Sequence, residues 1–213
     1  MTALDLHLVT DTRLCGDRGV PAVVAAAVAG GVGTVQIRDH DASAAELVAL
    51  TCAVAAVLEG RATLLVDDRV DVVLAARLAG ARVDGVHLGQ SDLPVAAARR
   101  ILGGRAVIGL TANTPAHLDA AHALPTGTVD YLGVGVIRPT STKADHPVPL
   151  GVEGFAALAA STPLPCVAIG GVVASDAGPL RRAGAAGLAV VSALCTAEDP
   201  AAVARRFREE WTR

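Results

Sequence analysis

Eight short apolar runs, each closed by a polar or glycine-containing cluster, recur along the chain and restrict what it can fold into. They are LHLVTD from Leu6, GTVQIRD from Gly33, ATLLVDD from Ala62, GVHLGQ from Gly85, AVIGLTA from Ala106, VDYLGVGVI from Val129, PCVAIGGV from Pro165 and GLAVVSAL from Gly187. Between them lie segments with helical spacing of Ala, Leu and Val. One of these, from Ser43, opens with a capping box, Ser43 followed three residues later by Glu46. The run starts are about 20 to 35 residues apart, the length a strand plus a crossover helix requires. Eight such units predict a closed (β/α)8 TIM barrel with parallel strands and outer helices, whereas an open doubly wound sheet leaves the count of eight unexplained. No linker or low-complexity segment divides the chain, so residues 1–213 are expected to form a single catalytic domain.

Composition narrows the function. The chain is 52% hydrophobic and 18% charged, with two Phe, one Trp and one Tyr, so its apolar mass is Ala, Val and Leu suited to a packed core. A net charge of −3 without a basic block argues against nucleic acid as a partner. Cys15, Cys52, Cys166 and Cys195 are far apart without a metal-binding spacing and read as reduced thiols. The N-terminal MTALDLHLVTD lacks the basic start of a signal peptide, and no apolar run reaches the length of a membrane span, so a cytoplasmic location is expected.

A barrel places its chemistry at the C-terminal ends of its strands. Those ends include Asp11, Arg38 to His40, Asp67 with Asp68, His87 to Gln90 with Asp92 just beyond, Thr111, Thr140 to Lys143, Gly170 with Gly171, and Val191 with Ser192. In QIRDHD, Gln36, Arg38 and His40 alternate, so a strand through them would send all three to one face. Asp67, Asp68 and Asp92 follow adjacent strands and offer hard oxygen ligands suited to Mg²⁺. Helix capping is the alternative use of Asp68 and Asp92. Arg38 and Lys143 can pair with phosphate, as can the hydroxyls of the PTSTK segment, although Arg38 could instead pair with Asp39 or Asp68. Gly170 and Gly171 with Val191 and Ser192 occupy the place where many barrels hold a phosphate on backbone amides. The rim therefore offers two anion sites and no nucleophile paired with a base. His87 lies inside a strand and is expected to be an interior, hydrogen-bonded group. The polar, glycine-flanked stretch from Cys15 to Gly19 is a candidate lid.

Taken together, LVTD at Leu8, QIRD at Gln36, DDRVDV at Asp67, GVHLGQSDL at Gly85, GLTANT at Gly109, DYLGVGVIRPTSTKAD at Asp130, VAIGGV at Val167 and AVVSAL at Ala189 resemble the thiamine phosphate synthase family over nearly the whole chain. The resemblance implies condensation of 4-amino-2-methyl-5-hydroxymethylpyrimidine diphosphate with 4-methyl-5-(2-hydroxyethyl)thiazole phosphate to give thiamine monophosphate and pyrophosphate. It implies that Gln36, Arg38, His40, Asp67, Thr111 and Lys143 hold the pyrimidine diphosphate, with Arg38, Lys143 and Thr111 acting in catalysis. Asp68 and Asp92 would bind Mg²⁺, and Thr140, Thr142, Gly171, Val191 and Ser192 would bind the thiazole phosphate. A homodimer is among the expectations.

The chain also departs from that family pattern. His40 stands where the family usually has Lys, Asp67 for Asn, Thr111 for Ser, and Val136 and Arg138 for Pro and Phe. Asp67 adds negative charge beside a diphosphate, tolerable if it shares the metal or bonds Arg38. Arg138 is expected to restore a cation near PTSTK. A free histidine has a pKa of about 6.5, so His40 is expected to make diphosphate affinity depend on pH. Two alternatives stay open: a thiazole tautomerase-like paralogue, and a non-catalytic binder of phosphate ligands on the same barrel.

Overall fold

The computed structural model describes residues 4–140 and 148–213. Eight strands, β1 (Leu6–Val9), β2 (Thr34–Ile37), β3 (Thr63–Asp67), β4 (Gly85–Leu88), β5 (Val107–Thr111), β6 (Tyr131–Gly135), β7 (Cys166–Ile169) and β8 (Ala185–Val190), pair in sequence order, all parallel. β8 returns to β1, closing the barrel as the strand count predicts. The helices are α1 (Thr12–Cys15), α2 (Gly19–Ala29), α3 (Ala44–Leu58), α4 (Val70–Leu78), α5 (Val95–Leu102), α6 (Pro115–His122), α7 (Gly151–Ala159), α8 (Ala177–Arg182), α9 (Ser192–Cys195) and α10 (Pro200–Thr212).

Side chains alternate across each strand, and the alternation separates two cores. Outward-facing residues such as Leu8, Val35, Ile37, Leu64, Val66, Leu88, Ile108 and Leu132 pack beneath the helices in the larger cluster. Each such side chain contributes about 1.5–3 kcal/mol on burial. The barrel interior is a smaller cluster of Val9, Leu65, Tyr131, Val167 and Ala189. It also takes the buried polar residues His7, Gln36 and His87, which share the inward parity of those neighbours. Glycine makes this mixture possible. A Cβ on Gly109 would run into the Tyr131 and His87 rings, and one on Gly133 would lie 2.8 Å from His87 Cε1.

Local signals agree with this architecture. Ser43 accepts from the Glu46 amide and Glu46 accepts from the Ser43 amide, so the capping box that starts α3 is formed. Pro115 and Pro200 stand at the first positions of α6 and α10, where a missing N–H costs nothing. One element differs from the reading of the sequence. β2 ends at Ile37, so of QIRDHD only Gln36 and Ile37 lie in the strand. Asp39 accepts from the amides of Asp41 and Ala42 and turns the chain there. The candidate lid from Cys15 to Gly19 is a short helical passage anchored by Arg18. That guanidinium donates to the carbonyls of Cys195 (3.0 Å), Ala197 and Glu198. Cys15, Cys166 and Cys195 are buried free thiols and Cys52 is a half-buried one.

Candidate active site

The C-terminal mouth of the barrel opens into a cavity of about 860 Å³, within the size range of small-molecule sites. Gln36, Arg38, His40, Asp67, Asp68, Asp92, Thr111, Thr140, Gly170 and Val191 line it together, so residues spread over more than 150 positions of sequence meet at one place. Gly171 and Ser192 sit one residue beyond lining positions. Thr142 and Lys143, with Ser141, lie outside the described residues.

The β2–β4 wall is dense with charge. Asp67 ends β3 facing inward and accepts from Gln36 Nε2, while its other oxygen lies 3.4 Å from Arg38 Nε. The added carboxylate is thus satisfied by the bond to Arg38 that its presence called for. It also draws on the Gln36 amide expected to serve a diphosphate. Adjacent strand residues would point to opposite faces, yet Asp68 also reaches the cavity, because its backbone takes a left-handed φ of 61°. Such a conformation is uncommon outside glycine and is best tolerated by Asp and Asn.

Neither Asp68 nor Asp92 caps a helix. α4 is preceded by Arg69 and α5 by Pro94, both without a side-chain cap, whereas Asp92 accepts from the Gly89 amide at 2.6 Å. That turn folds its carboxylate back toward β3, where it hydrogen-bonds the Asp68 carboxyl. Burial first, then the neighbouring charge of Asp67 and the contact with Asp92, push the Asp68 carboxyl up to about 8, with Arg38 opposing. His40 stands 3.9 Å from Asp68, and one ligand atom each from His40, Asp67 and Asp68 fall within 4.8 Å of one another. Oxygen donors crowded closely enough to hold the Asp68 carboxyl above its usual range fit a hard divalent cation, which would relieve the same repulsion.

Next along the rim, Thr111 ends β5 and its hydroxyl meets His87 Nε2 at 3.0 Å. His87 Nδ1 meets the Tyr131 hydroxyl at 2.9 Å, the interior bonding foreseen for this histidine. Asn113, Thr114 and His117 also line the cavity, and the sequence reading missed all three. The polar TANT cluster after β5 was the available signal. His117 comes from the first turn of α6, where helical geometry turns it back to the mouth. Its Nδ1 accepts from the Asn113 amide, which leaves Nε2 as the ring's donor.

The β6–β8 wall is built differently. Gly170 and Gly171 have φ of 91° and 67°, and a Cβ on either would strike the β6–α7 connection at Val136 or Arg138. Val191 precedes α9, whose first-turn amides begin at Ser192. Arg138 does not supply the local cation expected of it. Its guanidinium forms a two-point pair with the buried carboxylate of Asp176 at 2.6 and 3.0 Å, so its charge is already neutralised. That bidentate geometry is the preferred one for arginine and carboxylate, and here it ties the β6–α7 connection to the segment before α8. Among the described residues no helix is long and apolar enough to cross a membrane.

Similarity to known proteins agrees with this geometry. Residues 6–194 match a family model described as thiamine monophosphate synthase. A thiamine-phosphate synthase of Psychrobacter sp. (strain PRwf-1) is 43% identical over 198 residues, covering 93% of this chain and 91% of that protein. One from Corynebacterium efficiens is 50% identical over 181 residues, covering 85% and 83%. The solved thiamine phosphate pyrophosphorylase of Pyrococcus furiosus superposes with a TM-score of 0.84 at 30% identity, covering 99% of this chain and 96% of that one. The chain belongs to the thiamine monophosphate synthase family, whose members are transferases.

Proposed function

We propose that this chain joins 4-amino-2-methyl-5-hydroxymethylpyrimidine diphosphate to 4-methyl-5-(2-hydroxyethyl)thiazole phosphate, releasing pyrophosphate and thiamine monophosphate. The observation that carries the reading is the convergence of Arg38, Asp67, Asp68 and Asp92 on one side of a cavity whose other side, lined by Gly135, Val136, Thr140, Ile169, Gly170 and Val191, carries no charged side chain among them. Mg²⁺, held by Asp68 and Asp92, would supply charge neutralisation for the diphosphate.

The reaction asks for departure of a diphosphate from a methylene carbon, with the positive charge left behind spread over the electron-rich aminopyrimidine. Attack by the thiazole nitrogen completes the transfer. Arg38, fixed by Asp67 and with its amide bonded to Thr10 Oγ1 at 3.0 Å, presents its remaining guanidinium N–H groups to the leaving oxygens. Lys143 would add a second cation from the PTSTK segment. Thr111 and His117 offer neutral donors at the rim, and the interior beneath them is packed with side chains that keep water from the cationic carbon. Gly170, Gly171 and the first amides of α9, with Thr140 and Thr142, would seat the thiazole phosphate across the mouth. Positioning and electrostatic stabilisation suffice, which fits a rim without a nucleophile and base.

Incubation of the purified protein with both substrates and Mg²⁺ should yield thiamine monophosphate and pyrophosphate in equal amounts, and a chelator should abolish turnover. Folded protein that yields no product refutes the reading. Isomerisation of the thiazole phosphate without Mg²⁺ would favour the tautomerase-like alternative, and ligand binding without turnover would favour the binder.

A further inference from the structure

Beneath the catalytic mouth, three rings fill the barrel interior in a row. His87 meets Tyr131 with ring centroids 5.5 Å apart, and His7 meets the same tyrosine edge-on at 5.5 Å. Tyr131 is the chain's only tyrosine and is 1% exposed. Room for the His87 and Tyr131 rings exists because Gly109 and Gly133 carry no side chain. A purely apolar interior would have been simpler to pack, so the polar atoms of this row call for a reason.

Hydrogen-bond accounting supplies it. Among the described residues the Tyr131 hydroxyl has one partner, His87 Nδ1 at 2.9 Å. A buried phenol whose O–H finds no acceptor loses the full desolvation cost of that group, so its hydrogen must go to Nδ1. Nδ1 can accept only if it carries no proton, which places the proton of a neutral imidazole on Nε2. An imidazolium, or the opposite tautomer, would leave the Tyr131 hydrogen without an acceptor. Nε2–H then donates to Thr111 Oγ1 at 3.0 Å. The threonine hydroxyl has one hydrogen, and this arrangement keeps it from being spent on the histidine. Thr111 lines the cavity, so that hydrogen is available to the bound substrate.

We infer that Tyr131 and His87 are positioning residues that hold Thr111 as an obligatory hydrogen-bond donor toward an acceptor atom of the bound pyrimidine diphosphate. The inference rests on the proposed reaction for the identity of that acceptor and on the Tyr131–His87–Thr111 geometry for everything else. It also sorts the rim into donors with different origins. Arg38 donates because it is a cation, and Thr111 donates because the chain of bonds 131→87→111 leaves its hydrogen unspent on the histidine. The thiamine-forming reaction gains from a fixed donor because a hydroxyl that must first reorient stabilises a developing negative charge less well than one already turned toward it.

Two measurements test this, one without turnover. Two-bond ¹H–¹⁵N correlation spectra of histidine-labelled protein should show His87 as the Nε2–H tautomer. In Tyr131→Phe that signature should shift toward the Nδ1–H form, as Thr111 begins to donate to Nε2. Wild-type protein with His87 as the Nδ1–H tautomer, or a spectrum unmoved by Tyr131→Phe, overturns the inference whatever the activity. In kinetics, Thr111→Val should lower kcat/KM for the pyrimidine diphosphate by about 10- to 100-fold, and Tyr131→Phe by about tenfold. The double variant should be no worse than Thr111→Val alone, since both changes remove one donor. Multiplicative losses would show that Tyr131 acts through something other than Thr111. Thr111→Ser should retain activity. Wild-type protein with the stated tautomer but no product would refute the proposed reaction and leave the bond direction standing.

Discussion

The two walls of the barrel mouth meet the proposed task of holding an anion by opposite means. The β2–β4 wall uses charged side chains packed so closely that the Asp68 carboxyl is pushed well above the usual carboxylate range, and Asp68 takes a left-handed backbone to join them. The β7–β8 wall uses backbone: two glycines with positive φ and the start of a short helix, its nearest arginine consumed by Asp176. The first arrangement is tunable by pH, metal and charge, and the second is nearly indifferent to them. Division of this kind suits a reaction in which one phosphate group departs while the other serves only as a handle.

The largest predicted contrast comes from removing charge. Asp92→Ala should lower kcat by about 100-fold or more, since it would dismantle the proposed cation site on the leaving-group side. The loss of its bond to the Gly89 amide should cost only about 1 kcal/mol of stability. Activity within tenfold of wild type would place the cation site elsewhere.

On the other wall, adding a side chain should matter more than removing one. Gly170→Ala puts a Cβ at φ 91° against Val136. It should destabilise the fold by about 1–3 kcal/mol and raise KM for the thiazole phosphate, leaving KM for the pyrimidine diphosphate nearly unchanged. A change in both constants would erase the separation of the walls.

A smaller effect concerns protons. Asp68 is held at about 8, whereas a free aspartate lies near 3.9. The stability contributed by its retained proton is complete below about pH 4 and is lost as pH rises through 8. Divalent cations compete with that proton, so their affinity should climb up to pH 8. Binding at pH 7 should release close to one proton, read by calorimetry in buffers of different ionisation enthalpy. Asp68→Asn should abolish the release. Metal binding without proton release would mean that Asp68 is not a ligand.

The smallest effect belongs to His40, which faces Asp68 at 3.9 Å and is half exposed. Affinity for the pyrimidine diphosphate should weaken as pH rises and His40 loses its charge, and His40→Lys should flatten the trend. Identical pH profiles would make His40 a bystander.

Legibility in the sequence followed the range of the forces involved. Strand and helix positions were readable because alternation and 3.6-residue spacing are local consequences of backbone geometry, and α3 begins at the Ser43 cap as its sequence says. Arg38, Asp67, Asp68, Asp92, Thr111 and Gly170 were readable as rim residues because a barrel puts strand ends at its mouth. Arg138 was misread because its partner Asp176 lies 38 residues away, and nothing nearby announces the pair. His117 was missed because a histidine in the first turn of a helix points to the mouth only once that helix has been laid against the barrel.

Eight apolar runs with their intervening helices thus suffice to specify the barrel and the list of groups at its rim, because both depend on patterns carried within some thirty residues of chain. Which of those groups bond one another is a different matter. The grip of Asp67 on Gln36 and Arg38, the raised Asp68 carboxyl, and the direction of the Tyr131–His87–Thr111 chain depend on close approaches between residues of separate strands and loops. Hydrogen bonds and desolvation vary steeply over a single ångström, so only the closed barrel sets them.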